Sequence, residues 1–263
     1  MITSTSNPLI KKVRKLRRKK HRLEEGAFFI EGVRVFISAI EAKAPVQTIL
    51  YSPDLLTSVL ASEVIAAQRK AGVKCVETSA MVFKSISSRD NPVGVGAIVS
   101  TRWVALEDLP LRRKSVYVSV LNISEPGNLG TIIRTVDAAG ADGVILVGEG
   151  VDPYHSSAVK ASMGTLFHIP ISHAEAPDHL LDWAKSKGIT SVSTSAHARQ
   201  SYRGDQYELP ALILLGSEGG GLPAEVLEKS DLAVSIPMRG TASSLNLAVA
   251  AGLLLYEIAG SES

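Results

Sequence analysis

The sequence has a single cysteine, Cys75, among 263 residues. An intramolecular disulfide is therefore impossible, and nothing marks an oxidising compartment. Aromatic residues make up only 5% of the chain. No uninterrupted apolar run reaches the roughly 18 residues that a membrane-spanning helix requires, and the longest, Leu247 to Tyr256, reads as a buried core helix. The histidines, at 21, 155, 168, 173, 179 and 197, include no H-x-x-x-H pair, and there is no C-x-x-C, so a zinc site has no support. Neither a P-loop nor a G-x-G-x-x-G after a strand occurs, which disfavours nucleoside triphosphates and dinucleotides. Internal repeats and low-complexity segments are also missing.

With 45% hydrophobic and 21% charged residues, the composition is that of a soluble globular protein, expected in a reducing cytoplasm and not at a membrane. The length suits two ordinary domains. Acidic residues are missing before Glu24, while Lys11, Lys12, Arg14, Lys15, Arg17, Arg18, Lys19, Lys20 and Arg22 crowd one short stretch. Those nine are drawn from 28 basic residues; without them 19 face 26 acidic residues, and the net charge changes from +2 to −7. Clustered charge of this kind attracts phosphate backbones. A solvated helix face or an Arg-rich transit peptide would show the same composition. The spacing of Leu9, Val13 and Leu16 predicts one helix with an apolar stripe and a basic remainder.

After that helix, short apolar runs alternate with helical stretches. Strands are expected at Phe28 to Ile30, Ile49 to Tyr51, Val73 to Val76 and Gly94 to Ser100, with helices over Val33 to Ala42, Leu55 to Ala71 and Ser79 to Ser85. This gives an α/β domain over residues 1–100, followed by a polar linker at 101–114. A second α/β series fills 115–263, with strands at Val116 to Leu121, Gly143 to Val147, Ile169 to Ile171, Ile189 to Thr194, Ala211 to Leu215 and Ala233 to Ile236. Helices are expected over Leu129 to Ala139, Ala158 to Met163, Leu180 to Lys187, Pro223 to Lys229 and Leu245 to Ala259. Short apolar strands separated by helices predict a parallel sheet covered on both faces.

Three loops of the second domain follow such strands, where open α/β sheets place ligands. Asn122 to Gly130 opens a helix carrying Arg134, whose guanidinium stands on a largely apolar helix and is suited to a phosphate. Gly216-Ser217-Glu218-Gly219-Gly220-Gly221-Leu222-Pro223 would let backbone approach a ligand closely. Ile236 to Gly240 leads to Ser243-Ser244-Leu245-Asn246, ahead of the last helix. Capping explains one or two of these polar residues, while Asn246 is less easily explained. A Pro-Gly turn, a flexible glycine turn and a helix cap remain the plain readings of the three.

Taken in order, the loops resemble the signature motifs of SpoU (TrmH-like) RNA 2′-O-ribose methyltransferases, with Asn-Leu-Gly-Thr-Ile-Ile-Arg-Thr at 128–135 and Ser-Leu-Asn-Leu-Ala-Val-Ala-Ala at 244–251 the most specific. The resemblance runs from Val118 to Glu257. The start of the chain, Ile2 to Lys11 with Phe29-Ile30-Glu31-Gly32, looks like the same family's substrate-binding domain, which demotes the transit-peptide reading. Glu125 stands where many members have Asp before the Pro.

The resemblance implies an L30e-like α/β domain followed by a parallel-sheet SPOUT domain tied in a trefoil knot, an exception to the rule against threading. It implies S-adenosylmethionine held by Thr194, Ser195 and Ala196, by Leu215, Gly216, Ser217 and Gly219, and by Ile236, Met238, Ser244 and Leu245. Arg134 would meet the target nucleotide and activate its ribose hydroxyl, with Asn128, Glu218, Ser244 and Asn246 completing the site. The nine basic residues would bind RNA, with ribosomal RNA favoured, and the last helix would contribute to a homodimer. No metal is implied. The rival readings are a non-catalytic RNA-binding protein of the same fold, a transfer RNA 2′-O-methyltransferase and a base N-methyltransferase on a related knotted fold.

Overall fold

In the computed structural model, which describes residues 1–260, the basic N-terminal segment forms two helices where the apolar spacing predicted one. Helix α1 (Pro8–Lys15) opens at Asn7, whose side chain accepts from the Leu9 N–H at 2.9 Å. Pro8 occupies the first turn, where a missing N–H costs little. Ile10, Val13 and Leu16 are buried against Phe83, Ile86 and Ile98, each stabilising the fold by roughly 1.5–3 kcal/mol. The stripe thus runs through Ile10, and Leu9 is only partly covered. The chain turns after Leu16 into α2 (Lys19–Glu25), which ends on Gly26 in the left-handed region.

The remainder of this first unit is β1 (Ala27–Glu31), α3 (Val33–Glu41), β2 (Val46–Tyr51), α4 (Val59–Lys70), β3 (Lys74–Glu77), α5 (Ala80–Ile86) and β4 (Val95–Ser100). The strands form a mixed four-stranded sheet in the order β1-β4-β2-β3, in which only β2 and β3 pair in parallel. Helix α4 starts later than the predicted Leu55, because the Leu55 and Leu56 N–H groups are spent on the Ser52 carbonyl and Ser58 supplies the cap.

The domain boundaries differ from those read in the sequence. The chain divides into one unit of residues 1–101 with 152–167 and another of 102–151 with 168–263. The inserted stretch, α7 (Ser156–Ser162) with its flanks, joins the first unit through buried partners. Phe28 packs on Tyr154 and Phe167, with ring centroids 4.6 and 6.2 Å away. Asp152 accepts from Arg22 Nε at 2.6 Å. Arg22, expected to bind RNA, is 3% exposed and is a structural ion pair. The 101–114 stretch is also no free linker, since Leu106 and Leu109 lie in the second unit's core with Tyr117 and Trp183.

The second unit is built on β5 (Val116–Leu121), α6 (Pro126–Ala138), β6 (Gly143–Val147), β7 (Ile171–Ala174), α8 (Pro177–Ser186), β8 (Thr190–Thr194), β9 (Gln200–Ser201), β10 (Ala211–Leu215), α9 (Ala224–Lys229), β11 (Leu232–Ser235) and α10 (Leu247–Ala259). Its seven strands lie in the order β7-β6-β5-β10-β8-β11-β9 and pair in parallel. Strands β5, β6 and β10 are buried at every position, as expected of a parallel sheet covered on both faces. The two-residue β9 carries no apolar run and escaped the sequence reading. Because the strands run the same way, the loops after β5, β8, β10 and β11 leave from one edge, and this edge holds the site.

Candidate active site in the second unit

Three of these loops, after β8, β10 and β11, line a cavity of about 640 Å³. Thr194, Ser195 and Ala196 line it after β8, Gly216 to Gly219 after β10, and Ile236, Met238, Ser244 and Leu245 after β11, with Leu247 and Ala250 from the first turns of α10. The loop after β10 closes on itself. Ser217 and Gly221 exchange backbone hydrogen bonds of 3.2 and 3.1 Å, and a Cβ on Gly216 would stand 2.0 Å from the Gly221 carbonyl carbon. Only glycine at 216 permits this approach.

A polar chain crosses one side. Glu218 accepts from the Ser124 hydroxyl at 2.9 Å, the Ser124 N–H at 3.3 Å and Asn128 Nδ2 at 3.2 Å. Asn246 Nδ2 donates to Asn128 Oδ1 at 2.9 Å, and Asn246 Oδ1 accepts from the Ala248 N–H at 2.9 Å, capping α10. Burial pushes the Glu218 carboxyl upward, but the hydrogen bonds from Asn128, its own backbone and Ser124 outweigh it and hold the group below its ordinary value. The two asparagines and Glu218 come from three segments distant in sequence, so the hydrogen-bonded chain ties together the motifs read in the sequence.

The lining favours one kind of ligand. Among the described residues, Glu218 is the sole charged residue lining the cavity, and no Lys or Arg lines it to hold a polyphosphate. Leu245 and Met238 are 37% and 36% exposed at its rim, beside Ile236, Ser195 and Ser244. Apolar side chains with hydroxyls and open backbone suit a flat heterocycle on a sugar, and a carboxylate suits a positive centre. S-Adenosylmethionine, an adenosine joined to a cationic sulfonium, fits these residues.

The family follows from comparison. Residues 115–256 match the SpoU rRNA Methylase family, and residues 7–97 match the MRM3-like substrate binding domain. The chain belongs to the SpoU rRNA methylase family. It is 31% identical over 259 residues to the 23S rRNA (guanosine(2553)-2′-O)-methyltransferase RlmP of Bacillus subtilis, covering 98% of this chain and 99% of that one. It is also 33% identical over 241 residues to the 23S rRNA (uridine(2479)-2′-O)-methyltransferase of Streptomyces viridochromogenes, covering 90% of this chain and 83% of that protein. Among solved structures, the AdoMet-bound rRNA methyltransferase from Sinorhizobium meliloti superposes with a TM-score of 0.91 at 37% identity, covering 100% of this chain and 98% of that one.

Within this SpoU fold, ten of the eleven residues expected to hold a cofactor line the cavity. Leu215 does not: it is 1% exposed inside β10. Val234, Ser243, Gly221, Leu247 and Ala250 also line the cavity and were not singled out for this role. The family's last-helix motif spans Leu247 and Ala250, so a signal for them was present. Asn128, Glu218, Ser244 and Asn246 gather as expected, joined by Ser124, which lies in the motif but was not selected. Arg134 stands apart. It is exposed on α6, and its side chain makes no hydrogen bond or ion pair among the described residues. Six residues beyond Asn128, it faces about 120° away around the helix.

Proposed function

We propose that this protein transfers the methyl group of S-adenosylmethionine to the 2′-hydroxyl of a ribose in ribosomal RNA. The observation that carries the reading is the hydrogen-bonded chain Ser124–Glu218–Asn128–Asn246 at the edge of a cavity whose sole lining charge among the described residues is a carboxylate. The relatives' names specify ribose 2′-oxygens of 23S rRNA but two different nucleotides, at nearly equal identity. Identity therefore points to ribosomal RNA as a class without choosing the nucleotide.

The bound cofactor would supply a methyl group already activated on a positive sulfur. The residues of the chain must then position and desolvate the ribose hydroxyl, since in-line approach to about 3 Å supplies much of the rate. Glu218 is a poor proton acceptor, because its hydrogen bonds stabilise the anion. Its role is to orient Asn128 and Ser124 and to place negative charge beside a cationic group. Arg134 stabilises the developing alkoxide through its guanidinium or holds the adjoining phosphate.

The placement of Arg134 away from the polar chain fits a site completed by a second copy of the protein. Val249 and Tyr256 on α10 are 51% and 60% exposed, and with the half-buried Leu253 they form an i, i+4, i+7 apolar stripe. We propose that this stripe joins a homodimer, that the segments after β10 are threaded as the family's trefoil knot, and that the enzyme works in the cytoplasm. Mapping ribose methylation across the ribosomal RNA of a deletion strain tests the function. One position should lose its methyl group and regain it on complementation; an unchanged map contradicts the reading.

A further inference from the structure

The first unit holds a cavity of its own, of about 210 Å³, unconnected with the cofactor reading. Apolar Val13, Leu16, Ile86 and Val159 line it beside buried Arg22, with Phe29 from β1 and Tyr154 from the inserted stretch. Its rim carries Arg17, Arg89 and Lys160 against a single carboxylate among the described residues, Glu31. That carboxylate is already engaged by the Ser87 hydroxyl and by the Ser88 N–H at 3.0 Å. Arg89 and Lys160 make no side-chain hydrogen bond or ion pair among the described residues. Arg17 uses one donor, on the Ser87 carbonyl at 2.9 Å, of the five a guanidinium offers.

Two features show that this rim is built. Buried Arg22 donates through Nη1 to the Leu16 and Arg17 carbonyls, both at 2.9 Å, and through Nε to Asp152. It thereby fixes the turn from which Arg17 projects and the stretch that leads to Lys160. Arg89 lies against the backbone of Gly32, where a Cβ would stand 2.7 Å from its Nη2 and where φ is +110°. Any other residue at 32 would displace the guanidinium.

We propose that this cavity is an RNA subsite in which Arg17, Arg89 and Lys160 hold a phosphate while an unpaired nucleotide lies against Phe29. Cations beside an aromatic edge are the combination that takes up splayed-out nucleotides. Arg17 belongs to the basic run, so a strand tracking that run delivers a nucleotide to the cavity. The proposal rests on the reading of the chain as an RNA methyltransferase.

The test uses the full-length protein and an unmodified 23S ribosomal RNA transcript. Arg89→Ala/Lys160→Ala is compared with Lys70→Ala/Lys74→Ala, which removes the same charge from exposed positions of the same unit outside the cavity. The cavity variant should raise KM for RNA at least tenfold with kcat and cofactor affinity unchanged, and lower the salt slope of log K by roughly 0.7 per lost phosphate contact. The control variant should change KM by less than threefold. Equal effects in both variants would reduce the cavity to general charge and overturn the proposal, as would a cavity variant indistinguishable from wild type. If wild type itself neither binds nor methylates RNA, the functional reading fails, and this proposal with it. Wild-type activity with an inert cavity variant fails the subsite alone.

Discussion

Asn246 donates to Asn128 across 118 residues of chain, from Nδ2 to Oδ1 at 2.9 Å, and this bond has only one possible direction. At one end the Ala248 N–H must donate, and at the other the Glu218 carboxylate must accept. Both amides are therefore fixed in orientation, and each links a helix start to the cavity edge.

Asn246 does two separable things, capping α10 and feeding the amide chain. Asn246→Ala should lose both, with about 1 kcal/mol of stability from the cap and most of the transfer rate. Asn246→Asp keeps the acceptor for Ala248 but has no donor for Asn128, so it should unfold near the wild-type temperature and still transfer poorly. Thermal unfolding alongside methyl-transfer rates separates the two; wild-type rates in Asn246→Asp would contradict the role of the chain.

The Glu218 carboxyl titrates below its ordinary value in the folded protein. Its contribution is therefore complete above the unfolded carboxylate value of about 4.3 and is lost as pH falls through the lower folded value. Glu218→Gln places an amide N–H against a donor, and at an exposed position this should cost at most about 1 kcal/mol at neutral pH. The stability gap between wild type and variant should be flat from about pH 6 to 8 and shrink in acid. A gap that grows on acidification contradicts the assignment.

The buried pair Arg22–Asp152 makes a prediction about folding. Arg22→Met leaves an uncompensated buried carboxylate and should cost roughly 3–5 kcal/mol. Arg22→Met with Asp152→Asn should lose less, because no charge is left buried. Denaturant unfolding decides it, and equal losses would show that the ion pair matters little.

Much of this was legible in the sequence. The strands of the second unit stand out because fully buried parallel strands are near-continuous apolar runs, broken only by Ser119 in Val116–Leu121 and unbroken in Ala211–Leu215. The clustering of Asn128, Glu218 and Asn246 was legible through motif order. The inserted stretch 152–167 was not, since its tie to the first unit depends on Arg22 meeting Asp152, a pairing 130 residues apart that leaves no local pattern. For the same reason Arg22 read as one more RNA-binding cation in a basic run.

Arg134 is where catalysis and stability should part. Arg134→Ala should abolish transfer while circular dichroism and cofactor affinity stay at wild-type values, because the side chain is exposed and lines no part of the cavity. Arg134→Lys keeps the charge without the planar fork and should lose at least 100-fold, about 2.7 kcal/mol. If the site is completed across a homodimer, mixing Arg134→Ala with Asn246→Asp subunits should restore activity that neither has alone. Lack of restoration in verified mixed dimers would place Arg134 in the same copy as the cavity it serves.

The most direct measurement is transfer of labelled methyl from S-adenosylmethionine to ribosomal RNA that lacks the native modification, followed by digestion to nucleosides. The account predicts label on the ribose of a single nucleotide, resistant to alkaline cleavage at that linkage, and no label with Arg134→Ala. Label on a base, or no transfer by a folded wild-type protein that binds the cofactor, would contradict it.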